Sequence, residues 1–528
     1  MSQINLNQVS FSYIAGEPVF DSISLMIDSS WRLGLIGRNG RGKTTLLKLF
    51  TGELPYAGSI ETTLQFEYFP TPVSNPYDMA INVARELIAP YRKMESDMQQ
   101  FLSDGSEDAL MRYANILETY QDCEGYRIDE LIEKETTKLN LSSDRLQMPF
   151  LSVSSGEKLK LEIAALFLRK NCFLLLDEPF SHLDEETRLI MAEYLSRKKG
   201  FILVSHERDL LDRCVDHILS INRDDITLTH GNYSVWATET ERNERFEERA
   251  NEKLKKEISR LQSAAQTNTT WAKRVEATKY GNGPVDRGYI GHKSAKMMQR
   301  AKAVERRQER TMEEKKSLLR NAEQSEQIEL KTAACPYQQL MELRDCSVIY
   351  DGRSICDPVT FEILQGERIA IKGANGSGKS SILRLIAGDE LSHTGACYRK
   401  SQLITSYLAQ DCTFPEVGIS EYARNEMLDE PLFRSLLVKL GFESHLFGHT
   451  LAELSDGQKK KIALAESLSK RAHLYLWDEP LNGIDIISRI QIEELILQAH
   501  PTMIFVEHDS LFTQHIATKI VNLHQIRL

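Results

Sequence analysis

Two stretches of the chain have the glycines, lysine and hydroxyl that together bind nucleotide phosphates. GRNGRGKT runs from Gly37 to Thr44 and GANGSGKS from Gly373 to Ser380, each between an apolar run typical of a strand and one typical of a helix. Glycines let backbone N–H groups converge on phosphate oxygens where a helix begins, and the lysine meets the charge of the β- and γ-phosphates. The hydroxyl is an oxygen ligand of the kind that Mg²⁺ takes. The sequence therefore predicts two nucleotide sites.

The two predicted sites use equivalent positions in the two halves of the chain. In the first half, the residues predicted to bind ATP are Gly37, Arg38, Asn39, Gly40, Arg41, Gly42, Lys43, Thr44 and Thr45. In the second half they are Gly373, Ala374, Asn375, Gly376, Ser377, Gly378, Lys379, Ser380 and Ser381.

An acidic pair ends a second apolar run in each half. LLLDEP ends at Pro179 and LYLWDEP ends at Pro480. A carboxylate at the end of a strand can hold Mg²⁺ and its water, and a second carboxylate can orient or polarise the water that attacks phosphate. The predicted metal ligands are Asp177 and Asp478 together with the hydroxyls of Thr44 and Ser380, and the predicted catalytic carboxylates are Glu178 and Glu479.

A histidine follows the next predicted strand of each half. The runs FILV and MIFV lead into His206 and His508, which places an imidazole at the same sheet edge as the phosphates. A lone histidine is more often structural, but two equivalent histidines after two equivalent acidic pairs indicate a shared role. Both are therefore predicted to be catalytic.

Length and composition limit the class of protein. The 528 residues exceed what one hydrophobic core usually organises, and the duplicated motifs favour two domains. No apolar run approaches the roughly 18 residues that span a bilayer, and residues 1–20 do not have the pattern of a secretory signal, so we expect a cytoplasmic protein without a membrane domain. The eight cysteines are scattered without a CxxC pair, which argues against zinc, iron–sulfur clusters and a disulfide framework.

The first half contains an insertion that the second half does not have. The phosphate loops begin 336 positions apart, whereas the aspartates of the acidic pairs are 301 apart. About 35 extra residues are therefore expected, at about 86–126. Within them, 92–102 and 107–120 read as two helices broken at 103–105, which predicts an antiparallel helical hairpin. The hairpin is either a functional arm or a surface decoration.

A charged segment joins the two halves at 237–335. Phe246, Ala250, Leu254, Ile258 and Leu261 follow helical spacing, and glycines with a proline at 281–284 interrupt the pattern. We predict two long antiparallel helices with a turn between them. The net charge of the chain is −11, but 271–310 contains eleven basic and four acidic residues among aromatic and methionine side chains. This basic tip suits contact with RNA phosphates and bases, and a solvated spacer is the alternative.

Both halves resemble the ATP-binding cassette family over nearly all of their length. In that family a short SGGQ-like signature completes the nucleotide site of the opposite domain, where a serine hydroxyl and helix-start amides are good donors to a γ-phosphate. The resemblance implies two ATP molecules held head to tail, one between Lys43 and Ser455 and one between Lys379 and Ser154. The signature positions are Ser154, Ser155, Gly156 and Glu157 in the first cassette and Ser455, Asp456, Gly457 and Gln458 in the second.

The resemblance assigns further residues and also shows departures from the family pattern. It implies adenine-stacking rings at Tyr13 and Tyr350, D-loop aspartates at Asp184 and Asp485, and a Mg²⁺-contacting glutamine at Gln410. Where the first cassette should show that glutamine it reads Tyr68-Phe69-Pro70-Thr71, and the second signature glycine is Ser155 in one half and Asp456 in the other. An acid there would lie near phosphate, so we expect the two sites to be unequal.

The fold implied is α/β, with two tandem ATP-binding cassette (P-loop NTPase) domains joined by a long antiparallel α-helical linker. The cassettes would occupy 1–236 and 336–528, and the linker 237–335. Tandem cassettes without membrane helices look like the ABC-F group of ribosome-binding translation factors, and the run from Lys279 to Met298 resembles antibiotic-resistance members of the Lsa/Vga kind.

That resemblance implies a cytoplasmic, ribosome-associated ATPase, monomeric with paired cassettes and without a DNA partner. The ATP-closed form would bind the ribosome near the exit site, contacting 23S rRNA and the P-site tRNA. The linker tip would release lincosamide, pleuromutilin or streptogramin A drugs, and hydrolysis would drive dissociation. A housekeeping ABC-F translation factor and the ATPase subunit of a drug exporter are the alternatives. The tip residues implied are Lys279, Tyr280, Arg287, Tyr289, Ile290, His292 and Lys293.

Overall fold

The computed structural model describes residues 2–13, 18–180, 183, 185–222, 225–243, 245, 246, 249, 253, 256, 259, 333, 335–350, 352–374 and 376–524. Met1–Trp236 and Ile328–Leu528 form one compact unit, and Ala237–Gln327 forms a second. The predicted basic tip at 271–310 lies outside the described residues. Both predicted cassettes fall in the first unit.

The first cassette combines two sheets with nine helices among its described residues. Its strands are β1 (Gln3–Ser12), β2 (Pro18–Asp28), β3 (Arg32–Gly37), β4 (Ala57–Glu61), β5 (Gln65–Phe69), β6 (Cys172–Asp177), β7 (Phe201–Val204), β8 (His217–Ile221) and β9 (Ile226–His230). Its helices are α1 (Lys43–Phe50), α2 (Ala80–Ile88), α3 (Tyr91–Asp104), α4 (Glu107–Asp122), α5 (Ile128–Thr137), α6 (Ser143–Leu146), α7 (Ser155–Leu166), α8 (Glu185–Ser196) and α9 (Arg208–Cys214).

The larger sheet of this cassette has the order β5-β6-β7-β3-β8-β9, and the smaller one has the order β2-β1-β4. In this order, each neighbouring pair of strands from β5 through β3 to β8 is parallel, and β9 pairs antiparallel to β8. Strands β6, β7 and β8 are buried along most of their length, as expected for parallel strands covered on both faces. The carboxyl ends of β3, β6 and β7 therefore meet at one edge, where the predicted phosphate loop, acidic pair and histidine follow.

The second cassette repeats this plan. Its strands are β10 (Gln339–Tyr350), β11 (Arg353–Ser354), β12 (Val359–Leu364), β13 (Arg368–Lys372), β14 (His393–Arg399), β15 (Thr405–Leu408), β16 (Leu474–Asp478), β17 (Met503–Val506) and β18 (Lys519–Asn522). Its helices are α10 (Lys379–Ala387), α11 (Ile419–Asn425), α12 (Glu430–Lys439), α13 (Asp456–Ser469), α14 (Ile486–Ala499) and α15 (Ser510–Ile516). The parallel sheet has the order β15-β16-β17-β13-β18, and the antiparallel sheet joins β11, β10, β12 and β14. The expectation of two tandem α/β cassettes is confirmed.

A glycine in the left-handed region starts the helix after each phosphate loop. Gly42 has φ of 92° and Gly378 has φ of 85°, a conformation that residues with a Cβ rarely adopt. A Cβ on Gly42 would also lie 2.7 Å from Val19 Cγ1 and 2.8 Å from Phe20 Cζ. The loop can therefore turn into α1 and α10 with its amides facing the phosphate side only because these positions are glycine.

The extra residues of the first cassette include α3 and α4. Gly105 ends α3 with φ of 67°, and the Ser106 hydroxyl accepts a hydrogen bond from the Ala109 amide over 3.2 Å at the start of α4. At the base, the rings of Tyr91 and Tyr120 meet edge to face, with centroids 5.8 Å apart. These contacts hold the two helices of the hairpin together.

Burial on both faces of β7 leads to a stability prediction. Leu203 is fully buried, so Leu203→Ala should lower the free energy of unfolding by about 2–5 kcal/mol, through lost burial and an unfilled cavity. Leu228→Ala on the edge strand β9 is the matched control, because Leu228 is 38% exposed and should cost less than about 1 kcal/mol. Urea unfolding followed by fluorescence measures both, and equal midpoints would contradict the assigned core.

Candidate functional site

The first phosphate loop holds its lysine on the concave side of the turn. Lys43 Nζ donates to the carbonyl oxygens of Gly37 (2.8 Å) and Arg38 (3.3 Å) and to Asn39 Oδ1 (3.2 Å). Burial lowers its pKa, while the negative charges of Asp485 and Glu178 act in the opposite direction. The ammonium group is thus partly desolvated at the place where β- and γ-phosphate oxygens would accept its protons.

The second loop has the same arrangement. Lys379 Nζ donates to the carbonyl oxygens of Gly373 (3.0 Å) and Ala374 (2.9 Å), and burial lowers its pKa. Asn375, which was predicted to bind ATP in this loop, lies outside the described residues.

The predicted metal ligands meet beside each loop. In the first cassette, Thr44 Oγ1 donates to Asp177 Oδ2 over 2.8 Å. In the second, Asp478 is 2% exposed, and among the described residues its Oδ1 atom has no hydrogen-bond partner. Burial raises the pKa of Asp478, and a hydrogen bond with Ser380 opposes that shift. A buried carboxylate oxygen without a partner, beside a hydroxyl, is a donor set that fits Mg²⁺.

Tyr68 adds a hydroxyl to the first metal-side group, which the sequence did not reveal. The end of β5 brings its phenol to 2.9 Å from Asp177 Oδ2, the same atom that accepts from Thr44. Burial and the negative charge of Asp177 raise the pKa of Tyr68, so the phenol stays protonated and donates. The first site therefore has two hydroxyl donors on one carboxylate oxygen.

The glutamates and histidines predicted to be catalytic form pairs at both sheet edges. His206 Nε2 lies 2.9 Å from Glu178 Oε1, and His508 Nε2 lies 3.5 Å from Glu479 Oε1. Burial lowers the pKa of His206, which keeps the ring neutral. Although burial alone would raise the pKa of Glu178, the His206 ring and the Lys43 charge lower it. An ionised carboxylate beside a neutral imidazole can orient and polarise a water molecule.

Both glutamates adopt a backbone conformation that is uncommon for their residue type. Glu178 has φ of 46° and Glu479 has φ of 47°, in the left-handed region. Their amides donate to the carbonyl oxygens of Val204 and Val506 over 3.0 Å, which fixes the turn. In both cassettes, this backbone conformation directs the glutamate side chain towards the histidine of the same cassette.

The position of the expected glutamine differs between the cassettes. Register places Phe69 opposite Leu176 and Leu408 opposite Trp477, so Thr71 and Gln410 are equivalent. Gln410 Nε2 donates to Glu479 Oε2 over 3.1 Å, whereas Thr71 Oγ1 donates to the Tyr68 carbonyl oxygen over 2.9 Å. In the second cassette the side chain thus reaches the catalytic carboxylate, and in the first it closes a local turn.

Lys460 strengthens this difference. Its ammonium group donates to the carbonyl oxygens of Ala409 (3.0 Å) and Gln410 (2.9 Å), and so ties the signature helix α13 to the glutamine loop. By sequence position Leu159 is its counterpart in α7, and a leucine cannot donate. Lys460 could not be singled out from sequence because charged residues near a helix start are usually solvated.

Each signature serine begins a helix. Ser154 Oγ accepts from the Glu157 amide, and Ser455 Oγ accepts from the Gln458 amide, each over 3.4 Å. The side chains of Glu157 and Gln458 accept in return from the serine amides (3.2 and 2.9 Å), completing capping boxes. The first residues of the two helices are Ser155 and Asp456. Each motif thus presents the N–H donors of a helix start. The side chain that completes the capping box is the carboxylate of Glu157 in the first cassette and the amide of Gln458 in the second.

The second signature lies against the first phosphate loop. Asn39 Nδ2 donates to the Gly483 carbonyl oxygen over 2.8 Å, and the backbone N–H of Asn39 donates to Asp485 Oδ2 over 3.3 Å. A Cβ on Gly457 would lie 3.0 Å from Asn39 Nδ2 and 2.7 Å from the Gly483 oxygen. The structure therefore brings Lys43 and the Ser455 signature to one site. Asp184, the predicted counterpart of Asp485, lies outside the described residues.

The two predicted adenine-stacking rings are both accessible. Tyr13 is 53% exposed, its hydroxyl is 3.1 Å from Thr45 Oγ1, and its ring meets Phe11 edge to face at 4.9 Å. Tyr350 is 44% exposed at the end of β10. Each therefore has a ring face that an adenine could cover.

One cleft is lined by the glutamate–histidine pairs of both cassettes. Its lining includes Glu178, His206, Glu479 and His508, with Gly483 between them. Neither cassette alone supplies these walls. The predicted tip residues between 279 and 293 are not among the described residues. Over the described part of the chain, no helix combines the length and apolarity needed to cross a bilayer.

The protein belongs to the ABC transporter family, whose domain matches residues 20–181 and 356–482, together more than half of the chain. It is therefore an ATPase of the cassette type. It is 26% identical to ABC transporter F family member 2 of Arabidopsis thaliana over 557 residues, covering 99% of this chain and 76% of that protein. This likeness supports placement in the ABC-F group.

Two bacterial relatives from Bacillus subtilis (strain 168) also cover nearly the whole chain. The putative ATP-binding protein YdiF is 26% identical over 542 residues, covering 99% of this chain and 80% of that protein. The ribosome protection protein VmlR is 25% identical over 519 residues, covering 97% and 85%.

Solved structures share the fold. The crystal structure of the complex of archaeal ribosomal stalk protein aP1 and archaeal ribosome recycling factor aABCE1 aligns with a TM-score of 0.56 at 18% identity, covering 94% of this chain and 86% of that chain. RNase-L Inhibitor aligns with a TM-score of 0.54 at 18% identity, covering 94% and 85%. Both support the tandem cassette architecture.

The contact between Gln410 and Glu479 leads to a kinetic prediction. Gln410→Ala should lower kcat at the second site about tenfold, because Glu479 loses the amide that orients it. Thr71→Ala is the matched control at the equivalent position, and should change kcat less than twofold since its hydroxyl serves a local turn. Single-turnover hydrolysis measures the second site for Gln410→Ala in a Glu178→Gln background, and the first site for Thr71→Ala in a Glu479→Gln background. Equal effects of the two changes would refute the assigned difference.

Proposed function

We propose that this ATPase is an ABC-F protein that binds the ribosome when ATP closes its cassettes, and protects translation from antibiotics at the peptidyl-transferase centre. The observation that carries the proposal is the composite site in which Asn39 and Lys43 face the signature at Gly457. ATP in such a site contacts both cassettes, so binding favours the closed form and hydrolysis favours opening. The chain is then a nucleotide-controlled clamp.

The proposed chemistry uses one set of residues in each cassette. The phosphate loop and lysine hold the β- and γ-phosphates, and the glutamate of the acidic pair orients and polarises the attacking water while the histidine fixes that carboxylate. Mg²⁺, held by Thr44 and Asp177 in one site and by Ser380 and Asp478 in the other, would supply positive charge beside the phosphate oxygens. The acceptor for the water proton is the glutamate oxygen that faces the phosphate side.

Two features support the ribosome as the partner. A relative similar over 97% of the chain is named a ribosome protection protein. The basic segment at 271–310 has the cations and aromatic residues that bind RNA phosphates and bases. We propose that this segment contacts 23S rRNA and the P-site tRNA near the exit site, in the cytoplasm, and that the protein acts as a monomer. The drugs released would be of the lincosamide, pleuromutilin and streptogramin A types.

A housekeeping ABC-F translation factor is the second candidate. The likeness to ABC transporter F family member 2, whose name indicates no resistance role, favours it. The same clamp would then act on ribosomes without drug. Drug susceptibility of a deletion strain separates the two, since only a protection protein makes the strain more sensitive when it is lost.

Blocking hydrolysis should trap the protein on ribosomes. Glu178→Gln with Glu479→Gln keeps the hydrogen-bonding shape but removes both carboxylates that polarise water, so the ATP-closed form should persist. We expect at least a fivefold increase in the fraction that sediments with ribosomes in the presence of ATP. Glu193→Gln, at an exposed position on α8, is the control and should behave like the unaltered protein. A double variant that sediments no more than this control would contradict the clamp.

Removing the tip should separate protection from ATP binding. Deletion of residues 279–292 should abolish drug tolerance in cells while ATP affinity stays within about twofold, because the phosphate loops lie elsewhere in the sequence. Minimum inhibitory concentrations and fluorescent-nucleotide titration are the two measurements. Undiminished tolerance at equal expression would refute the role of the tip.

A further inference from the structure

A buried arginine of the first cassette is bonded to two acids of the second. Arg208 is the first residue of α9, two positions after His206, and is 3% exposed. Its guanidinium donates to Asp509 Oδ1 and Oδ2, each over 3.1 Å, and to Glu493 Oε1. Glu493 and Asp509 are also buried. The contact is therefore a desolvated, charge-assisted link between the cassettes.

On the second cassette, this link reaches the loop that bears His508. Asp509 directly follows His508, and its Oδ1 atom accepts from the Phe512 amide over 2.9 Å, which starts α15. Asp509 Oδ2 also accepts from Arg489 NH1 over 3.1 Å. The position of Asp509 thus sets where His508 leaves the sheet, and His508 faces Glu479 at 3.5 Å.

The same network continues into the loop that faces the first phosphate site. Arg489 donates through NH2 to the Leu481 carbonyl oxygen (3.0 Å) and through Nε to that of Ile484 (2.9 Å). Gly483, between them, accepts from Asn39 of the first phosphate loop. Through Asp509 and Arg489, Arg208 is therefore connected both to the loop that bears His508 and to the loop at 481–484 of the second cassette.

The link runs in one direction only. Within each cassette, an arginine of the helix that follows the acidic pair binds the residue after the histidine: Arg188 of α8 with Glu207 at 3.0 Å, and Arg489 of α14 with Asp509 at 3.1 Å. The counterpart of Arg208, two positions after His508, is Ser510, and the counterpart of Glu493 in α8 is Ala192. Neither could form an equivalent buried ion pair. Both cassettes therefore have the internal arginine–carboxylate pair, but only Arg208 adds an ion pair between the cassettes.

Other charges around the link explain why it is needed. Glu507 is partly buried beside Asp509, and desolvation together with the charge of Asp509 raises its pKa. On the other side, His515 Nδ1 lies 3.1 Å from Glu493 Oε2. Without Arg208, carboxylates at 493, 507 and 509 would lie in a desolvated cluster with Arg489 as the main remaining buried cation. Repulsion would then displace the loop that bears Asp509, and His508 with it.

We infer that Arg208 is a positioning residue that acts across the cassettes: it belongs to the first cassette but holds His508 and the Glu507–Asp509 loop in place for hydrolysis at the second nucleotide site. Its guanidinium bonds to Glu493 and Asp509 rather than to residues predicted to hold nucleotide, so it acts through other side chains. The inference concerns ATP hydrolysis and does not depend on the ribosome, so its failure leaves the proposed clamp untouched.

The test separates the two sites by silencing one at a time. In a Glu178→Gln background only the second site hydrolyses, and in a Glu479→Gln background only the first. Arg208→Met should lower the single-turnover rate at least tenfold in the first background and less than threefold in the second, with fluorescent-nucleotide affinity within threefold in both. Arg213→Met is the matched control, because Arg213 is on the same helix and exposed, and should leave both rates unchanged.

Two outcomes would overturn the inference. An unchanged rate in the Glu178→Gln background would show that the link does not position His508, and equal losses in both backgrounds would indicate a general folding defect. If Arg208→Met does not yield folded protein, Glu493→Gln removes one end of the link at nearly constant volume. It must then show the same preference for the second site, and its absence would count equally against the inference.

Discussion

The contact of Asn39 with the second cassette is the interaction on which the first nucleotide site depends. Its side chain donates to the Gly483 carbonyl oxygen over 2.8 Å, and the neighbouring signature fits because Gly457 has no Cβ. Phosphates held by Lys43 would therefore receive hydrogen bonds from both cassettes. Because such a site is complete only when the cassettes meet, nucleotide binding and cassette closure are thermodynamically linked.

Duplication gave the two cassettes the same catalytic pairs but different mechanical connections. In the second cassette, Gln410 reaches Glu479 and Lys460 holds the loop that bears Gln410. In the first, Tyr68 instead donates to the aspartate beside the phosphate loop, and Thr71 serves its own turn. The inequality of the two nucleotide sites stays a prediction, and these contacts are where the two cassettes differ in structure. The two cassettes therefore differ less in the residues predicted to be catalytic than in the side chains that contact those residues.

Local pattern was sufficient for the elements that position the site. The break at Ser103-Asp104-Gly105 indicated two helices, which the structure forms as α3 and α4. The first runs on to Asp104 because only Gly105 ends it, and the second begins at Glu107 as predicted, where Ser106 caps it. The glycines of the phosphate loops, the acid after each apolar strand and the histidine after the next were also readable. In these cases the required backbone geometry depends on residues within one short stretch, so spacing alone carries the information.

The sequence by itself determined two cassettes, their phosphate loops, their acidic pairs and their histidines. Only the tertiary structure decided that Arg208 is bonded to Glu493 and Asp509, about 300 positions away, and that Tyr68 rather than Thr71 meets Asp177. The physical reason is that periodicity fixes which face of an element a residue occupies, but not which element covers that face. A charged residue such as Arg208 looks solvated until docking of the cassettes removes its water and makes its partners decisive.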